Sequence, residues 1–317
     1  MTELFSNYIR KKNTKQKYKS ISYYVSFFIF VYCLLFLLYC YDRRLFRHRD
    51  CYNKELKWSE TKKIPKYNIA IVTVSDDYIG KDRVKRSVKN KRQFAAHWDF
   101  HFITGNISQT EISRGDGGAK RAKFRFISTV INDCDAVLWV DIDAVFMKYN
   151  TNINILLQKM ILEDKYISLC PDASLDGMLN SGVILLRSGT QTNHFLVEFE
   201  NSHSIIQDCK VLKTCPPGLY DQNIISFMTG TWPYCAFNLL LWPFSPLHNE
   251  WKYFNNMIYE APACIFNAVP TEATRDSLIQ HCYGGGIRDV LSEDSILGVK
   301  GKVFCVEQLL NASHVID

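Results

Sequence analysis

The chain has 317 residues, 47% of them apolar, with 38 Lys and Arg against 32 Asp and Glu. Residues 1–50 hold ten Lys/Arg and three Asp/Glu, a net of +7, so with +6 for the whole chain residues 51–317 stand near −1. The basic excess flanks an apolar N-terminal run rather than covering the remainder, which excludes a nucleic-acid-binding surface as the main function.

Residues 21–41 carry no charge and are dense in Phe, Leu, Val, Ile and Tyr. At about 1.5 Å per residue such a helix spans a hydrocarbon layer of about 30 Å. Tyr23, Tyr24, Tyr39 and Tyr41 stand toward its ends, where amphipathic rings favour the interface. The run is longer than a signal-peptide core and lacks a small-x-small cleavage site, so it reads as an uncleaved anchor. Arg10, Lys11, Lys12, Lys15, Lys17 and Lys19 precede it, and Arg43, Arg44, Arg47 and Arg49 follow. The excess predicts a cytoplasmic N-terminus and a type II protein whose large C-terminal part lies outside the cytosol. The expected organisation is a tail over 1–20, an anchor over 21–41, a polar stem over 42–66 and one domain over 67–317.

The domain opens with a buried strand over 67–75, YNIAIVTVS. A helix of mixed charge follows over 82–97, with Val84, Val88, Phe94 and Ala95 as its apolar positions. The alternation of DFHFIT predicts a strand over 99–104, and a helix with basic and aromatic positions follows over 119–131. The uncharged run Ala136–Val140 reads as a strand buried on both faces. A helix over 153–162, strands over 166–170 and 181–187, and a helix over 193–206 complete the readable order. Strands alternating with helices predict an α/β layer fold with a mainly parallel sheet, whose ligands bind beyond the carboxyl ends of the strands.

Asp141 and Asp143 stand at such an end. In an extended backbone, residues spaced by two project the same way, and two carboxylates side by side repel unless something neutralises them. A divalent cation does so, and hard oxygen ligands suit Mg²⁺ or Mn²⁺. Nine cysteines lie beyond residue 50, with no Cys-x-x-Cys zinc pattern; Cys209 and Cys215 could close a small loop, and the other pairings are not readable. Two glycosylation triplets, at Asn106 and Asn311, carry meaning in a lumenal domain. Trp232, Trp242, Trp251 and Tyr253 among prolines suit either a sugar-stacking wall or core packing.

Four further segments carry a family resemblance: DGGAKRAKFRF at 116–126, LNSGVILLR at 179–187, LYDQNII at 219–225 and LIQHCYGGG at 278–286. With the apolar strand ending in Asp-x-Asp they stand in the order seen in Golgi glycosyltransferases of the GT-A fold. The chain resembles the α-galactosyl-, α-mannosyl- and xylosyltransferases and the glycogenin-like nucleotide-sugar transferases. The resemblance implies an α/β GT-A domain behind an N-terminal transmembrane helix. It implies a Mn²⁺ or Mg²⁺ held by Asp141, Asp143 and His281, a UDP- or GDP-sugar donor, and a glycan or glycoprotein acceptor. Thr73, Val74 and Ser75 would meet the nucleoside, and Asp141 its ribose as well. Lys120, Arg121 and Lys123 would neutralise the diphosphate, and Gly284 and Gly285 would let backbone approach it. Asn180 and Ser181 would touch the donor sugar, with Gly182 giving room. Asp221 and Gln222 would stand near the anomeric carbon. A retaining enzyme needs no dedicated base; an inverting one needs a carboxylate, Asp221 or Asp172.

Two other classes fit the same residues. Asp141-x-Asp143 matches the nucleophile motif of aspartate-based phosphatases, where the first Asp attacks phosphate, although two strands precede it here. A membrane-anchored sugar-nucleotide binding module would keep the fold without turnover.

Overall fold

The computed structural model describes residues 64–75, 80–106, 118–149, 151–171, 179–202, 221–229, 254–268, 277–282 and 305–313, with eleven helical residues between 23 and 38. Two compact units, Met1–Arg43 and Arg44–Asp317, divide the chain. In the first, Tyr23, Tyr24, Phe27, Phe28, Ile29 and Phe30 are exposed. About half of the expected anchor lies outside the described residues, and among the described residues no helix is long and apolar enough to cross a membrane.

The second unit follows the expected alternation. Its elements are β1 (Ile69–Ser75), α1 (Lys81–Trp98), β2 (His101–Asn106), α2 (Gly118–Val130), β3 (Ala136–Val140), β4 (Ala144–Phe146), α3 (Ile153–Leu162), β5 (Ile167–Pro171), β6 (Leu179–Arg187), α4 (Thr190–Asn201), α5 (Asp221–Met228), β7 (Ile258–Glu260), α6 (Ala263–Phe266) and β8 (Ile279–His281). Six strands form one sheet in the order β2-β1-β3-β6-β5-β7, and β4 pairs with β8 in a second. In the large sheet β1 is parallel to β2 and β3, and β5 to β7, while β6 is antiparallel to both β3 and β5. The sheet is mainly parallel as expected, with one reversed strand at its centre.

Both faces of the sheet are covered, which explains the uninterrupted apolar strands. Ile69 and Ile71 of β1 pack with Phe94 of α1 and Leu156, Leu157 and Met160 of α3. Ala70, Val72 and Val74 face Phe124 and Ile127 of α2, Phe195 and Phe199 of α4, and Ile225 of α5.

Among the boundaries that differ from the sequence reading, two have a local cause. Asp99, expected to open a strand, instead ends α1 in the left-handed region at φ 58°, its N–H bonded to the carbonyls of Ala95 and Ala96. An Asp tolerates that backbone better than most residues. Helix α4 stops at Asn201 rather than running to 206, because the Ser202 hydroxyl donates to the Phe199 carbonyl and closes the last turn.

The reversal of β6 decides where the site forms. Val140 pairs with Val183, and Asp141 N–H donates to the Gly182 carbonyl at 2.8 Å. The amino end of β6, Leu179–Gly182, therefore lies beside the carboxyl end of β3. The pairing Val72↔Trp139 brings the last residues of β1 to the same end.

Candidate metal centre

Asp141, Asp143 and His281 converge at that end of the sheet: a ring nitrogen of His281 and one oxygen from each carboxylate lie within 4.8 Å of one another. The two Asp side chains do not meet by strand alternation, as the spacing suggested. The strand ends at Val140, and Ala144 N–H donates to the Asp141 carbonyl at 3.0 Å, closing a turn across Asp141–Ala144. β4 then starts at Ala144, directly opposite His281 of β8. One tight turn and one strand pair bring together ligands 138 residues apart in sequence.

A chain of hydrogen bonds fixes the histidine ring. Gly182 N–H, which can only donate, meets Asn180 Oδ1 at 2.8 Å. Asn180 Oδ1 thus accepts, so Asn267 presents its NH₂ to it at 2.7 Å. That leaves Asn267 Oδ1 facing His281 Nδ1 at 3.0 Å, which must carry the proton. In the neutral ring Nε2 then presents a lone pair to Asp143 Oδ1 at 3.1 Å and Asp141 Oδ2 at 4.0 Å. Three such groups facing one another, two of them nearly buried, are neutralised by a cation between them or by a second proton on the ring. A histidine and two carboxylates suit a divalent ion, and an amide that orients the ligating ring is the usual outer support of such a site.

Gly182 belongs to this geometry. A Cβ there would stand 1.9 Å from His281 Cε1 and 2.5 Å from Nδ1. The space left by the missing side chain of Gly182 is taken by the imidazole.

Beside the triad lies a buried charge cluster. Lys123 of α2 is 4% exposed. Its ammonium meets Asp221 Oδ2 at 2.6 Å, the Ser181 carbonyl at 2.9 Å and Asp141 Oδ1 at 3.3 Å. Burial pushes this ammonium down, but Asp141 and Asp221 outweigh it and hold Lys123 above the usual lysine range. All three N–H bonds have partners inside the cluster, so Lys123 ties two acids together. Asp221, first residue of α5, also accepts from Ser181 Oγ at 2.6 Å. Asn180 and Ser181, expected at the sugar, thus serve the histidine and Asp221 respectively. The indole of Trp139 donates to Asp141 Oδ1. Asp141 keeps 28% of its side chain exposed, whereas Asp143 and His281 are buried at 4% and 3%.

The remaining expected residues divide by position. Thr73, Val74 and Ser75 are buried at the end of β1, and Thr73 Oγ1 has no hydrogen-bond partner among the described residues. Gln222 is half-buried in the first turn of α5. Lys120 and Arg121 lie on the backbone of α2, within the turn that precedes Lys123. Gly284, Gly285, Asp172, Cys209, Cys215 and the aromatic set Trp232, Trp242, Trp251 and Tyr253 lie outside the described residues.

Sequence reasoning missed several members of this region. Asn267 follows α6 in a stretch with no recognisable motif, and a lone Asn carries no signal. Cys282, next to the histidine ligand, forms a disulfide with Cys305 across 23 residues. Lys91 of α1 is fully buried, although a Lys in a mixed-charge helix reads as solvated.

No family model matches the chain, and no curated protein matches it. Similar solved structures are glycosyltransferases. One, involved in glycosylation of the major capsid of PBCV-1, is 12% identical over 76% of this chain and 99% of its own, with a TM-score of 0.44. Mouse xyloside xylosyltransferase 1 in its apo form is 9% identical over 70% and 98%, with a TM-score of 0.38. The glycosyltransferase GlyE of Streptococcus pneumoniae TIGR4 is 13% identical over 77% of this chain and 62% of its own, with a TM-score of 0.37.

Proposed function

We propose that the domain transfers a hexose or pentose from a UDP- or GDP-sugar to a glycan or glycoprotein acceptor, with a divalent cation, Mn²⁺ or Mg²⁺, at Asp141, Asp143 and His281. The observation that carries this reading is the fixed ring of His281, whose Nε2 lone pair faces two carboxylates. When bound, such a cation supplies Lewis-acid stabilisation of a departing diphosphate. The chain supplies the rest. Asn267 and Asn180 hold the ligating ring, and Gly182 makes room for it. Asp141, the most exposed of the three, is the member that reaches outward to the nucleotide. Asp221, held by Lys123 and Ser181, is fixed beside Asp141 to orient the sugar, with Gln222 next to it.

A carboxylate neutralised by an ammonium at 2.6 Å is a weak base. That supports a retaining course, in which the leaving phosphate takes the acceptor proton. The phosphatase reading fares worse: its acid/base would be Asp143, which is buried against His281 instead of facing a substrate. The exposed aromatic side chains of the first unit support anchoring through residues 21–41. The Cys282–Cys305 disulfide supports an oxidising compartment, and we place the domain in the lumen of the Golgi.

The test is release of nucleoside diphosphate from a panel of UDP- and GDP-sugars by the full chain in detergent. Release with Mn²⁺, its loss in chelator, and its loss by orders of magnitude in a folded Asp143→Asn variant are expected. Undiminished release in chelator, or cleavage of phosphomonoesters in its place, overturns the reading.

A further inference from the structure

Ser87, Asn90 and Lys91 are spaced i, i+3, i+4, share one face of α1, and are all fully buried. They grip the outer edge of the segment that follows Asp141. Ser87 Oγ donates to the Ile142 carbonyl at 2.6 Å, Lys91 Nζ to the Ala144 carbonyl at 2.6 Å, and Asn90 Nδ2 to the Phe146 carbonyl at 2.8 Å. Asn90 Oδ1 also accepts from Phe146 N–H at 2.9 Å. The opposite edge of β4 is the one paired to His281. A neutral side chain could fill the Lys91 position for shape alone, and burying an ammonium is costly. The direct partners of this ammonium are a hydroxyl, Ser87 Oγ at 2.6 Å, and one carbonyl, not a carboxylate. Burial pushes Lys91 down to about 7, while Asp143 and Asp141 oppose that push and favour its charge.

The charges of the site give the buried cation a use. Among the described residues, Asp141, Asp143 and Asp221 stand against Lys123 and Lys91, three negative charges against two positive, net −1. A divalent ion brings the sum to +1, which attracts a diphosphate; without Lys91 the loaded site sums to zero. We propose that Lys91 is an electrostatic positioning residue of the cation site, weakening divalent-ion binding on its own and strengthening the binding of a nucleoside diphosphate to the ion-loaded site. This rests on the reading of Asp141, Asp143 and His281 as cation ligands. Lys91 hydrogen-bonds to none of the three, and the clamp to Ala144 keeps its charge at a fixed place behind the turn.

The experiment compares the full chain with Lys91→Met and Lys91→Gln at pH 6.5. Mn²⁺ affinity is read from the free-ion paramagnetic resonance signal, and UDP and GDP affinity at saturating Mn²⁺ from calorimetry. The expected result is opposite in sign for the two ligands. Mn²⁺ binds more tightly and the diphosphate more weakly, each by at least about tenfold, the scale on which one unit charge acts on another over about 10 Å at an effective dielectric of about 20. A merely structural role shifts both affinities the same way. Shifts of one sign, or none, in folded variants overturn the inference and leave the cation reading intact. Failure of both neutral variants to fold also overturns it, since the ammonium then serves the fold. Absence of Mn²⁺ binding to the unmodified chain overturns the cation reading and this inference with it.

Discussion

Replacing Lys123 with methionine keeps the aliphatic stem and deletes the charge that ties Asp221 to Asp141. At an effective dielectric of about 20, contacts of 2.6 Å and 3.3 Å correspond to gross attractions of about 6 and about 5 kcal/mol. Desolvating each ion costs several kcal/mol, so the pairs are not worth their sum. What the variant loses is compensation: Asp221, only 6% exposed, keeps its charge with no cation beside it. Removing one partner of a buried pair costs about 3–5 kcal/mol, which for a domain of this size lowers the melting temperature by about 6–20 °C. The assay is thermal unfolding of the full chain in chelator and in saturating Mn²⁺. The loss is expected to be larger in chelator, where nothing else neutralises Asp141. Adding Asp221→Asn to Lys123→Met removes the stranded charge and recovers at least half of the lost stability, while turnover stays low. A Lys123→Met variant melting with the parent, or a double variant whose losses simply add, refutes the buried tie.

Two further outcomes follow from single contacts. Gly182→Ala places a methyl group in the His281 ring, so the ring moves off its ligand position; metal affinity, measured by Mn²⁺ titration, falls by about 10–100-fold with the sheet intact. For Lys91, the folded value of about 7 lies below the usual 10.5, so between them the unfolded chain binds more protons and stability rises with pH. The cost of the buried ammonium is present in full below pH 7 and is relieved above it. Denaturant unfolding from pH 6.5 to 9 is therefore expected to show the parent gaining stability relative to Lys91→Met, by up to about 1.4 kcal/mol per pH unit; a constant gap contradicts the burial argument.

Most strands and helices of the domain were legible because burial on two faces writes a plain pattern: Ala136–Val140 and Ile153–Leu162 fall where their apolar runs end. The direction of β6 was not legible. LNSGVILLR is apolar throughout, and such a run fixes that a strand forms, not which way it points among its neighbours. The residues of the candidate cation site were named for an incomplete reason, since a turn and not an extended backbone brings the carboxylates together. The helix α1 shows the limit most clearly. Of its four apolar positions, Phe94 and Ala95 are buried and Val84 and Val88 only half-buried, while the polar Ser87, Asn90 and Lys91 are fully enclosed. Hydropathy assigns polar residues to water; here they face the unpaired edge of β4, whose carbonyls need donors that an apolar helix face cannot give.

That edge connects the fold to the chemistry. Among the described residues β4 has one strand neighbour, which makes this three-residue strand a weak mount for the triad, because half of its backbone groups lack ladder partners there. α1 supplies those partners from one side and β8 brings His281 from the other, while the disulfide at Cys282 ties β8 to the helical run over 305–312. Arg83 and Arg86 of α1 bind Glu307 in that same run at 3.1 Å and 2.6 Å. The Ser313 hydroxyl, just beyond it, shares the Phe146 carbonyl with Asn90. The Asp141–Asp143 turn is thus held by contacts from α1, β8 and the C-terminal run, none of which supplies the motif itself. The geometry of the triad thus leans on the C-terminal run through α1, Phe146 and Cys282, although none of the described residues of that run belongs to the triad.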